Sequence, residues 1–268
     1  MNHLLRDLAP FGADGWAMLD AEARARLVPA LSARKIVDFD GPHGWQRSAV
    51  ETGRTEHLPS ATGSGIAVRR RTVLPLVEVR ADFSLQMEEI ADFSRGADDV
   101  DLTGLDDAVL RVAAVENRAV LQGWAGATGA GVTSASTNAA RAHDGRPESF
   151  RAAITSAVAT LRDAGVDGPY TLASGPDDWA AIIETDDSGY SLRRQIEGII
   201  GGTVERSPGI EESVLVSTRG GDFTLTVGED LTLGYSHHDA DHVFLYVEET
   251  FAVKVDTPEA SVPFTRTL

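Results

Sequence analysis

The chain has 268 residues, long enough for one large domain or two small ones. Hydrophobic residues make up 42% and charged residues 24%, which supports a sizeable core and excludes a disordered or collagen-like chain. The formal net charge of -17, from 41 acidic against 24 basic residues, disfavours nucleic acid and anionic membrane surfaces as partners.

No apolar run approaches the roughly 20 residues that cross a bilayer. The N-terminus has no signal-peptide h-region, so the cytoplasm is the expected compartment. The absence of cysteine excludes disulfides, thiolate metal sites and cysteine nucleophiles.

Residues 14–33 predict a helix, with Trp16, Leu19, Ala23, Leu27, Ala30 and Leu31 at spacings of three and four. Pro29 predicts a break or kink, or two short helices. The apolar stripe either packs on its own domain or forms part of a docking groove. Gly41-Pro42-His43-Gly44-Trp45 is a turn signal. Residues 48–72 are polar, carry Arg69-Arg70-Arg71, and predict an extended loop or hairpin reaching away from the body. Residues 73–83 alternate as a half-buried strand, with Val77, Val79, Ala81 and Phe83 on one face. Leu105 to Gln122 predicts the central core helix, capped near Asp101 or Thr103 and ended by Gly123.

From 145 to 222 helices and strands alternate, predicting a compact α/β subdomain. Helices fall near 149–164, from Pro176, and near 191–200; strands fall at 169–173, 203–207 and 213–218. The remainder is β-rich, with strands at 223–227, 231–235 and 243–255.

Signals for chemistry are weak. Gly126–Gly131 follows a helix and lacks the Lys and Ser/Thr of a phosphate loop, so it reads as a connector. His237-His238-Asp239-Ala240-Asp241-His242 has the residue types of a divalent metal site, but also those of a solvated hairpin loop. No serine-nucleophile elbow or zinc-protease helix occurs. Asp186-Asp187-Ser188-Gly189-Tyr190 is a tight acidic loop between two helices. Repeated about a rotation axis, it would ring an opening with carboxylates that favour cations.

Motifs spread along the chain resemble those of the encapsulins, prokaryotic nanocompartment shell proteins. They include Arg6-Asp7-Leu8-Ala9-Pro10, Ala33-Arg34-Lys35-Ile36-Val37-Asp38, Leu74-Pro75-Leu76-Val77-Glu78 and Glu116-Asn117-Arg118. Further along come Gly165-Val166-Asp167-Gly168-Pro169-Tyr170, Ser217-Thr218-Arg219-Gly220-Gly221-Asp222-Phe223 and Gly228-Glu229-Asp230-Leu231.

The resemblance implies an α+β chain with the tailed-phage major capsid protein fold, of Hong Kong 97 type. Its parts would be an N-terminal helix and P-domain segment at 1–47, an E-loop at 48–72 and a P-domain with a spine helix at 73–131. An A-domain at 132–222 and P-domain strands with the C-terminus at 223–268 complete it. It further implies an icosahedral shell of about 60 identical chains. That shell encloses cargo such as a dye-decolorising peroxidase or a ferritin-like protein through the cargo's C-terminal targeting peptide.

By this resemblance the peptide docks on Leu27, Leu31, Arg34, Ile36, Asp38 and Leu231, with Arg34 and Asp38 fixing its register. A charge at Leu27 is then expected to abolish loading and leave assembly intact. Asp186, Asp187, Ser188, Gly189 and Tyr190 would surround the five-fold pore. No catalytic residue, metal or cofactor is expected. Relatives that bind flavin use a tryptophan where this chain reads Gln86-Met87-Glu88-Glu89. The alternatives are a viral capsid protein of the same fold and a metal-dependent enzyme using the 236–242 loop.

Overall fold

The computed structural model describes residues 3–59, 66–184, 186–187 and 190–267, with the backbone alone at 186, 187 and 190. After a short 3-10 turn at Arg6–Leu8, helix α1 runs from Ala13 to Ala30. Trp16, Leu19, Ala23, Leu27 and Ala30 are its buried side, as the spacing predicts. Pro29 lies inside the last turn, so the break falls after Ala30, and a separate 3-10 turn follows at Ala33–Lys35.

Strand β1 (Asp38–Asp40) is followed by β2 (Ala49–Leu58) and β3 (Val68–Pro75), an antiparallel hairpin with an irregularity between Glu51 and Thr55. Almost every described side chain of the hairpin is exposed or half-exposed, as expected of a segment without its own core. The alternating strand, β4, spans Val77–Gln86 and buries Val79, Phe83 and Leu85; residues 73–75 belong to the hairpin instead. Helix α2 (Met87–Arg95) is an element the sequence reading does not contain.

The central helix α3 (Thr103–Leu121) buries a wide face from Leu105 to Leu121. Its start is secured by Asp101, whose Oδ1 accepts from the Thr103 amide and hydroxyl. The glycine-rich stretch after α3 folds as a minimal hairpin, β5 (Gly123–Trp124) against β6 (Gly129–Ala130), leading into α4 (Val132–Ala135). Gly123 has φ +93°, and a Cβ there would lie 2.6 Å from the Gly131 amide nitrogen, so the turn requires glycine.

The α/β region follows its predicted order. It comprises β7 (Arg141–His143), α5 (Pro147–Asp163), β8 (Tyr170–Ser174) and α6 (Pro176–Glu184). Next come β9 (Asp186–Asp187), β10 (Tyr190–Ser191), α7 (Leu192–Ile200), β11 (Val204–Arg206) and β12 (Val214–Ser217). The final strands are β13 (Phe223–Val227), β14 (Thr232–His238), β15 (His242–Val255) and β16 (Ser261–Arg266).

Two sheets organise these strands. In the first, β1-β13-β15-β14 are joined in order and β4 also pairs with β15. The second has the order β11-β8-β12-β16-β7. The sequence groups 223–268 together, yet β16 pairs with β12 and β7 in the second sheet. It closes there because Val262 and Phe264 are fully buried and need a partner surface.

Candidate functional site

Helix α1 leaves one large apolar side chain exposed. Val28 is 62% exposed, beside the buried Leu27 and Leu31. These residues form one wall of a groove of about 650 Å³. The opposite wall is Leu231, Thr232 and Leu233 with Val247 behind, and Leu4 and Arg6 of the N-terminal segment complete the lining. The rim carries Asp20, Arg24 and Asp230, and Arg34 lies at the base. An apolar floor with charged edges suits an extended peptide that inserts apolar side chains and has its backbone positioned by the rim.

The walls are pinned by polar contacts. Arg6 Nη1 and Nη2 donate to the two carboxylate oxygens of Asp20, each at 2.8 Å, and its Nε donates to the Leu233 carbonyl at 2.8 Å. The same guanidinium lies 4.5 Å above the Trp16 ring. One arginine thus ties the N-terminal segment to α1 and to β14.

The end of α1 is satisfied from α3. Asn117, fully buried, donates to the carbonyls of Ala30 at 2.8 Å and Pro208 at 3.0 Å. Its Oδ1 accepts from the Ala33 amide at 2.9 Å. The Ala30 carbonyl also accepts from the Ser32 amide at 2.9 Å, so Asn117 adds a tertiary partner there and satisfies the Ala33 amide beyond the helix end.

Arg34 sits at the base of the groove. It donates to Glu116 Oε2 from Nε at 2.8 Å and Nη2 at 2.6 Å, to Glu249 Oε2 at 3.1 Å and to Asp230 Oδ1 at 2.7 Å. Glu116 and Glu249 are fully buried. Burial works against the Arg34 charge, but hydrogen bonding and attraction from Glu116, with the charges of Glu249 and Asp230, raise its pKa. Burial and then the adjacent Glu116 push Glu249 well above the usual carboxylate range.

The structure therefore brings together Leu27, Leu31, Arg34 and Leu231, and it separates them from Ile36 and Asp38. Ile36 is buried, and with Asp38 it lines a different cavity of about 120 Å³ beside Ser217 and Phe223. Asp38 Oδ2 accepts from the Gly221 amide at 2.6 Å, holding the glycine turn before β13. The pairing of β1 with β13 carries both residues away from the groove. Arg34 is committed to internal carboxylates, so it shapes the floor rather than standing free to fix a register.

Sequence reasoning missed Val28, Leu4, Arg6, Arg24, Leu233 and Val247 as groove residues. Val28 carried a legible signal, an apolar residue off the stripe; the others become neighbours only through tertiary packing.

Of the acidic loop, the backbone of Asp186–Asp187 pairs antiparallel with Tyr190–Ser191, and Ser188 and Gly189 lie outside the described residues. The histidine-rich segment is a hairpin end, as its solvated reading holds. His238 Nδ1 lies 2.6 Å from the Tyr235 hydroxyl, His237 stacks on Phe244 at 4.3 Å, and His242 lies 3.9 Å from Asp239. These imidazoles do not converge. Among the described residues, three such ligand atoms converge at His3, Glu229 and Glu248.

Comparison with known proteins agrees along the chain. The family described as "Encapsulating protein for peroxidase" matches residues 1–252. The chain is 42% identical over 269 aligned positions to a type 1 encapsulin shell protein of Rhodospirillum rubrum, covering 98% of this chain and 96% of that one. It is 39% identical to the type 1 encapsulin shell protein of Brevibacterium linens, covering 98% and 99%.

Among solved structures, a virus-like particle from Pyrococcus furiosus aligns with a TM-score of 0.64 at 16% identity, over 94% of this chain and 99% of that chain. A structure from Mycobacterium phage Adephagia aligns with a TM-score of 0.56 at 15% identity, over 100% of this chain and 98% of that chain, and the capsid of Myoviridae phage XM1 with a TM-score of 0.52 at 9% identity, over 86% and 90%. At such identities these structures establish the Hong Kong 97-type capsid fold alone.

Proposed function

The chain belongs to the type 1 encapsulin shell proteins, and from that premise we propose that the groove between α1 and β14 holds the cargo of the shell. It is a structural protein that self-assembles into a compartment enclosing cargo such as a peroxidase. The reading as a metal-dependent enzyme loses its support, because the 236–242 histidines do not converge. The reading as a viral capsid protein rests on fold alone, since the encapsulin relatives match at far higher identity than the phage XM1 capsid.

The observation that carries the docking proposal is the exposed Val28 facing an apolar groove with a charged rim. The occupant is an extended C-terminal segment of a dye-decolorising peroxidase or a ferritin-like protein. Leu27, Leu31 and Leu231 supply the apolar floor, while Arg24 and Asp230 remain at the rim for the peptide backbone and polar side chains.

The finer architecture forms part of the same proposal. About 60 chains close into an icosahedral shell. The β2–β3 hairpin acts as the E-loop, and the loop at 186–190 borders a five-fold pore. The same proposal takes the shell to be cytoplasmic. No helix among the described residues is long and apolar enough to cross a membrane.

The test is co-expression with a reporter extended by the C-terminal segment of a peroxidase cargo. The segment-bearing reporter should co-purify with the shells. Equal co-purification of a reporter lacking the segment would overturn the assignment.

A further inference from the structure

The N-terminal segment brings His3 against the first sheet. Its Nε2 lies 2.8 and 2.7 Å from the two carboxylate oxygens of Glu229 and 3.9 Å from Glu248 Oε1. One ligand atom from each residue lies within 4.8 Å of the other two. The imidazole is held in place. It stacks on Trp45 at 4.6 Å with 15° between the planes, and the His3 carbonyl accepts from the Tyr246 hydroxyl at 3.4 Å.

Glu248 is the unusual member. Its side chain is 90% buried on β15 and makes no hydrogen bond, and its ion-pair neighbour is His3 at 3.9 Å. Glu229 brings a second carboxylate oxygen to the same place, within 4.8 Å of the Glu248 oxygen and of the His3 ring nitrogen. Arg80, the adjacent cation, is engaged with Asp82 at 2.9 Å and lies 3.5 Å above the Tyr246 ring.

We propose that His3, Glu229 and Glu248 form a binding site for a divalent transition-metal ion of the zinc, manganese or iron(II) class. An imidazole with two carboxylates suits such ions, and a soft copper(I) site would need sulfur. Metal–ligand distances are about 2.0–2.2 Å, so three atoms already this close reach one ion through small side-chain rotations. The ion would tie residue 3 to the loop before β14 and to β15.

Zinc titration of chelator-stripped shells by calorimetry tests the site, with His3→Ala and Glu248→Gln as comparisons. The expected result is one saturable class near one zinc per chain, weakened at least tenfold in each variant. Zinc should raise the unfolding temperature of the wild-type shell and leave both variants unmoved. Identical isotherms in all three proteins, or no saturable class, would overturn the proposal. If Glu248→Gln does not assemble, cobalt(II) absorption of wild type against His3→Ala decides it. A ligand-field band equally strong in the two contradicts the site.

Discussion

Arg34 Nη2 donates to Glu116 Oε2 at 2.6 Å, joining residues 82 positions apart beneath the groove. Glu249 enters the same cluster from β15, so one guanidinium holds two fully buried carboxylates from different elements. The cluster joins the 3-10 turn after α1, helix α3 and the first sheet at one point. It is therefore a structural keystone under the proposed docking surface.

Removing that guanidinium should leave buried negative charge without compensation. Arg34→Met is expected to cost about 3–5 kcal/mol and to reduce the yield of assembled particles. Arg34→Lys should restore only part of the loss, because an ammonium cannot reproduce the fork that serves Glu116, Glu249 and Asp230 together. Chemical denaturation of the shells, with their yield, measures both.

The pH dependence follows from Glu249. Its pKa is raised above the ordinary 4.5 by burial and by Glu116. The folded chain thus binds more protons than the unfolded chain between these values. The contribution is fully present below pH 4.5 and declines as pH rises through the folded value. Glu249→Gln should flatten this decline in the unfolding temperature measured against pH.

Asp178 has the opposite sign. Burial pushes its carboxyl up, but His143 at 3.6 Å, the hydrogen bond from the Ser213 hydroxyl and the charge of Arg266 hold it below its ordinary 3.8. That stability is present above 3.8 and is lost as pH falls through the depressed value. Asp178→Asn should reduce acid sensitivity of the second sheet, read by the protection of β12 and β16 in hydrogen exchange.

Asn117→Leu should be severe despite conserving volume. It strands the Pro208 carbonyl and the Ala33 amide, at about 1–3 kcal/mol for each group left unpaired, and leaves the Ala30 carbonyl with the Ser32 amide alone. Thermal unfolding of the variant shell measures the loss. An unchanged transition would mean that the end of α1 finds other partners.

The groove predicts a contrast between neighbouring residues. Val28→Lys alters an exposed position near a helix C-terminus, where a cation is tolerated, and should leave particle size unchanged. It should lower reporter loading at least tenfold. Leu27 is 7% exposed and belongs to the core, so Leu27→Asp should impair assembly itself, contrary to the sequence expectation. Particle yield and reporter content of the two variants separate packing from docking.

The elements were largely legible because their burial is local and periodic. The α1 stripe, the alternation from Val77 to Phe83 and the α/β order from Pro147 to Ser217 each follow from one face meeting one core. The hairpin was legible from what it lacks, since a polar stretch cannot bury itself. Strand β16 escaped because its partners, β12 and β7, lie some 50 and 120 residues earlier. The site was only half legible for the same reason. Leu27 and Leu31 follow from helical spacing, but the 3-10 turn after Ala33 sends Arg34 inward and Asp38 toward Gly221. The His3–Glu229–Glu248 convergence joins distant stretches that no motif links.

Mass and shape of the purified particle test the central claim most directly. Sixty copies of a 28.5 kDa chain give about 1.7 MDa. The account predicts uniform hollow spheres of that mass by light scattering and negative-stain imaging. A stable monomer or small oligomer under the same conditions would contradict it.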